Sequence, residues 1–142
     1  EFTADMLKSF RQMAKFGIQP KDAPFFIPPY EHYNAEVASW AQQLGLQIVY
    51  FTPGTASSQD YTWRGMTGEK EKYRTSQWLY NNIMQCESRH TLNGHLLMIH
   101  LGTDDRRTDK FYRYLHRLIT NLQAKGYAFV SLNELLTASS PK

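Results

Sequence analysis

Leu96-Leu97-Met98-Ile99-His100-Leu101-Gly102 is the stretch that decides how this chain is read. It is short and apolar, follows a turn at Asn93-Gly94, and stops at the polar stretch Thr103-Asp104-Asp105-Arg106-Arg107. A buried strand has this pattern, and here it would deliver a titratable imidazole to its C-terminal tip. In parallel α/β folds, ligands and chemistry gather at that tip. The plain alternative is a histidine hydrogen-bonded inside the core, and the run alone leaves both readings open.

Working outward, helix and strand patterns alternate. Thr3 can cap a first helix carrying Met6, Leu7, Phe10, Met13 and Ala14, with Gly17 as its stop. Asn34 can cap a second, whose Val37, Trp40, Ala41 and Leu44 share one face before Gly45. Thr75 or Ser76 starts a third, with Leu79, Ile83 and Cys86. Thr108 opens a fourth with Phe111, Leu115, Leu118 and Leu122, and Gly126 ends it. Strands are expected at 25–27, 47–52, 95–101 and 127–131, with a short last helix at 133–136. Crossovers of this length imply a parallel sheet, so the strand C-termini share one rim. That rim would gather Tyr30, Thr52, His100 and Ser131, with His100 opening into a cleft. The polar stretch 55–74 is long for a compact domain, and such loops are usually functional or flexible.

Composition narrows the classes. A chain of 142 residues is one domain or part of one, and 42% apolar with 14% aromatic residues argues against disorder. The net charge of +3 is mild. Arg106-Arg107 lies beside Asp104, Asp105 and Asp109, a solvated face rather than a nucleic-acid footprint. Cys86 is the single cysteine, which excludes an internal disulfide and a cysteine-based zinc site. No apolar run is long enough to span a membrane. The start at Glu1-Phe2-Thr3 suggests a processed or trimmed product, and 139–142 a frayed tail.

Taken in order, these segments resemble the polysaccharide deacetylases of carbohydrate esterase family 4, from about Thr3 to Leu136. Phe26-Ile27-Pro28-Pro29-Tyr30 is similar to that family's Phe-Arg-x-Pro-Tyr segment. Leu97-Met98-Ile99-His100 is similar to its Leu-x-x-His segment, and Lys125-Gly126-Tyr127-Ala128-Phe129-Val130-Ser131-Leu132 to its closing strand. Tyr33-Asn34 through Phe51 looks like the α/β unit between them. The departures are specific. The family's Asp-Asp strand and His-x-x-x-His segment have no counterpart, and Ile27 stands where the family has an arginine. The family's Asp–Trp segment has no clean match, although Asp60 or Trp63 can stand in for it. The resemblance therefore implies parallel β/α units forming part of a (β/α) barrel, with residues 1–138 as the C-terminal portion of a catalytic domain whose N-terminal strands are missing.

What the resemblance implies about chemistry is metal-dependent removal of acetyl groups from an acetylated polysaccharide or oligosaccharide, outside the cytoplasm, in the periplasm or secreted. His100 would be the acid that protonates the leaving amine or alkoxide. The backbone N–H of Tyr30 would face the oxyanion. Glu31, Thr52, Asp60 and Trp63 would line the substrate, with Tyr61 offering a further ring. Tyr30 packing over the Pro-Pro turn and Trp63 anchoring its loop are the plain alternatives. A divalent metal, zinc or similar, is expected in the intact domain and none on this chain alone, which is expected to be inactive by itself. Two other readings stay open: a carbohydrate-binding remnant without catalysis, and an interaction subunit whose open sheet edge pairs with the missing half or another copy. Glu31 with Asp60 or Asp104 as a glycosidase pair ranks below these.

Overall fold

The computed structural model describes residues 1–66 and 73–138. The middle of the long polar stretch and the tail at 139–142 lie outside them. The chain divides into two compact units, Glu1–Tyr50 and Phe51–Lys142.

The first unit holds α1 (Phe2–Ala14), β1 (Phe25–Phe26), α2 (Ala35–Gln43) and β2 (Gln47–Ile48). The two strands pair in parallel, Phe25 opposite Gln47 and Phe26 opposite Ile48. The Gln47 amide donates to Pro24 O (2.7 Å) and the Val49 amide to Phe26 O (3.0 Å). α2 is the crossover between them, the β-α-β arrangement that the alternating pattern predicts. Its start is set by Asn34, whose Oδ1 accepts from the Val37 amide (2.9 Å). Gly45, at φ +73°, supplies the left-handed residue that turns the chain from α2 into β2. Phe10, Ala41 and Leu46 form the core, with Phe2, Met6, Met13, Phe26, Leu44 and Ile48 against it. α1 starts one residue before the expected cap, with Glu1 and not Thr3 at the N-cap.

The second unit begins with a 3-10 helix at Ser57–Tyr61, followed by α3 (Ser76–His90). Thr75 caps α3 by accepting from the Trp78 amide (3.1 Å). A 3-10 turn at Phe111–Tyr114 leads into α4 (Leu115–Ala124), and α5 (Leu132–Ala138) follows. Phe111, Leu118 and Leu122 close over Leu79, Tyr80, Ile83 and Leu92, with Leu97, Ile99 and Tyr127 packed on that core.

The fold is thus mixed α/β, mostly helical, with a parallel strand pair. The expected strands at 95–101 and 127–131 carry no ladder. Local hydrogen bonding shows why. The Thr52 amide donates to Leu96 O (2.8 Å), but the Leu96 amide donates back to the Thr52 hydroxyl (3.0 Å). Pro53 then has no donor to continue a ladder. At the far end the His100 amide goes to the Asp60 carboxylate (2.7 Å). Tyr127 and Ser131 are likewise committed at the two ends of their segment: the Tyr127 amide closes the α4 terminus on Leu122 O (3.1 Å), and the Ser131 amide is capped by Glu134 (2.9 Å). Among the described residues no helix is long and apolar enough to cross a membrane.

Candidate functional site

The second unit brings two of the expected residues into direct contact. The His100 ring Nδ1 lies 2.6 Å from Asp60 Oδ1, and the His100 backbone N–H donates to Asp60 Oδ2 at 2.7 Å. Both carboxylate oxygens are therefore used by one residue 40 positions away, so the imidazole is fixed at its backbone and at its ring. Asp60 is fully buried, whereas the His100 side chain is 37% exposed. The Tyr61 ring meets the imidazole edge-on, with centroids 5.4 Å apart. Asp60 reaches this place because it sits in the short 3-10 helix. That helix starts from Ala56, held at φ +57°, and lies against α3. One turn earlier, the Thr55 carbonyl accepts from Asn82 of α3 (2.8 Å), which anchors the entry to the helix.

The electrostatics of the pair follow from burial. Desolvation pushes the Asp60 carboxyl above the ordinary carboxylate value, while the two His100 hydrogen bonds, the His100 charge and the Arg107 charge pull it back. When Asp60 is ionised it can only accept, and the ring proton between the two residues then belongs to Nδ1, which leaves Nε2 for chemistry. No described residue bonds Nε2. A carboxylate that orients an imidazole by one ring nitrogen leaves the other able to give or take a proton.

The other expected residues take different positions. Thr52 spends its hydroxyl on the Leu96 amide and so holds the segment that leads to His100. Trp63 has the Arg106 guanidinium over one face, 3.9 Å from the ring centroid. Arg106 is itself gripped by both oxygens of Asp104 (2.9 and 2.8 Å), which holds that carboxyl well below the usual range. Tyr30 and Glu31 belong to the first unit. There Tyr30 is 86% exposed and Glu31 half-buried, and both have left-handed backbone, φ 54° and 56°. Ile27, in the place of the family's arginine, is exposed. Ser131 caps α5, its hydroxyl donating to Glu134 Oε2 (2.9 Å).

A pocket of about 240 Å³ lies in the second unit beside His95, walled by Leu92, Leu96, Leu122, Tyr127 and Phe129, and it does not include His100. Among the described residues no group of three or more His, Cys, Asp and Glu side chains is placed to hold a metal. The Asp60–His100 pair does not fit one either. Nδ1 and Oδ1 are committed to each other and Oδ2 to the His100 amide, and Nε2 alone falls short of the roughly three ligands a catalytic site needs.

Arg107 also departs from the reading of the sequence. Arg107, taken with Arg106 as part of a solvated face, is 1% exposed and hydrogen-bonded inside the second unit. A run of mixed charge carries no signal that separates its inner member from its outer one. No family model, curated protein or solved structure matches the chain.

Proposed function

We propose that this chain carries the general-acid part of a carbohydrate deacetylase, a hydrolase of N- or O-acetyl sugars, within a deacetylase-type (β/α) barrel in the intact protein. The observation that carries the reading is the buried Asp60 carboxylate holding His100 by both its amide and Nδ1. The order of the segments that resemble the deacetylases supplies the substrate class.

In this reading water adds to the acetyl carbon, the bond from that carbon to the sugar nitrogen or oxygen breaks, and acetate leaves. The leaving atom needs a proton. His100, as imidazolium, keeps one N–H on Asp60 and gives the Nε2 proton to that atom. The carboxylate opposite the ring stabilises the positive charge before transfer and orients the ring throughout. Tyr61, 40% exposed and edge-on to His100, would in this reading cover one side of the imidazole. The base that takes the proton from water is assigned to the Asp-Asp strand that the resemblance implies.

The test is acetate release from acetylated xylan and chitin oligomers by the intact protein. His100→Ala lowers kcat by on the order of 10²–10⁴, the usual worth of a positioned acid, and Asp60→Asn lowers it in the same direction. An unchanged rate in His100→Ala removes the general-acid role.

A further inference from the structure

Arg107 is a buried cation whose direct partners among the described residues are all neutral. Its Nη1 donates to the Thr62 carbonyl (2.5 Å), and its Nη2 to the Arg74 carbonyl (3.1 Å) and the Ser76 hydroxyl (3.2 Å). Its Nε is buried without a hydrogen-bond partner, and the Tyr73 ring lies 5.5 Å from the guanidinium carbon. Burying a charge is costly unless an opposite charge compensates it. Among the described residues two carboxylates are candidates. Asp109 accepts from the amide of Ser76 (2.6 Å), the residue whose hydroxyl Arg107 also reaches. Asp60, fully buried, lies two residues before the carbonyl that Arg107 grips most closely.

We propose that Arg107 is a positioning residue of the Asp60–His100 pair: it pins the chain just beyond Asp60 at the Thr62 carbonyl and supplies the buried positive charge that faces the Asp60 carboxylate. The inference rests on the general-acid reading of His100. It adds a third member acting through Asp60 and touching no substrate. Among the described residues the charged groups acting on Asp60 are His100 and Arg107, and both favour its ionised form. Without Arg107, Asp60 would hold its proton to higher pH, and a protonated Asp60 no longer supports the imidazolium. The guanidinium also joins 62, 74 and 76, so a single side chain ties the Asp60 turn to the start of α3.

The experiment is an NMR titration of the Asp60 side-chain carboxyl in the intact protein and in Arg107→Gln and Arg107→Lys. Arg107→Gln moves the Asp60 midpoint upward, and Arg107→Lys keeps it close to the native value. An unmoved midpoint in Arg107→Gln, or equal movement in both variants, overturns the proposal, because a purely structural clamp would not distinguish charge from shape. Should Arg107→Gln fail to fold, the native protein supplies the same test. The Arg107 guanidinium resonances follow the Asp60 midpoint if the two charges face each other, and resonances that stay flat through that midpoint overturn it. The titration does not depend on acetate release, so failure of the deacetylase reading and failure of this one are separately visible.

Discussion

Tyr30 stores backbone strain in plain view. Its φ of 54° and the 56° of Glu31 lie in the left-handed region, which costs an ordinary side chain of order 1–3 kcal/mol. The ring is almost wholly exposed, so packing gives little in return. Replacing Tyr30 by Gly therefore raises stability by up to about 1 kcal/mol in urea unfolding, after the extra chain entropy of Gly is subtracted. A loss of stability would mean that the ring packs where it is needed. Asp60 gives a second residue-scale outcome. Its carboxyl in the folded chain lies above the ordinary value, so the stability it contributes is full below the ordinary carboxylate pKa and is lost as pH rises through the raised one. Asp60→Asn has no such loss. The unfolding free energy of the native protein minus that of Asp60→Asn should fall as pH is raised across the acid range, below the histidine titration. A difference that stays flat or grows would contradict the direction of the shift. At this scale the sequence made His100 visible through its place at the end of an apolar run. It did not make visible that Asp60, 40 residues away in a polar stretch, would be the partner. Arg107 was hidden because only packing decides which of two adjacent arginines turns inward.

Among the elements, α3 is the central one of the second unit. Leu79 and Ile83 are fully buried on the face that meets Phe111, Leu118 and Leu122. Leu79→Ala should cost about 2–5 kcal/mol, the range for a buried leucine truncated in a packed core. A cost below about 1 kcal/mol, of the size seen for exposed positions, would show that the site collapses or is not core. The helices were legible because their signals are local. Asn34 and Thr75 cap α2 and α3 as their side chains predict, and the spacing of Leu115, Leu118 and Leu122 follows the face that α4 buries. The fourth helix begins later than Thr108 suggests, since Phe111–Tyr114 is wound as a 3-10 turn before α4. The strands were less legible. Leu97 and Ile99 keep the alternate packing of a strand against the core, yet a ladder also needs a neighbour with free donors and acceptors. Here those groups go to the Thr52 hydroxyl, the Asp60 carboxylate and two helix termini, none of which an apolar pattern reveals.

On the scale of the whole molecule, the parallel β-α-β unit and the Asp60–His100 pair come from different parts of the chain, Glu1–Tyr50 and Phe51–Lys142. The alternating pattern predicted the first. Pairing at a distance, which sequence order does not encode, produced the second. The sequence has no His-x-x-x-His segment of the kind the resembled deacetylases use to hold metal, so we propose that the 142-residue chain by itself releases no acetate from acetylated oligomers with zinc or cobalt added. Clear metal-dependent release by this chain would show a site that the Asp60–His100 pair does not explain. The central claim is narrower: His100 protonates the leaving atom. It is tested most directly by comparing two substrates of the intact protein, an acetylated sugar and an activated aryl acetate whose leaving group needs no proton. His100→Ala should lose on the order of 10²–10⁴ in kcat on the sugar and keep its rate on the aryl acetate within a few-fold. Equal losses on both substrates, or none on the sugar, would contradict the account.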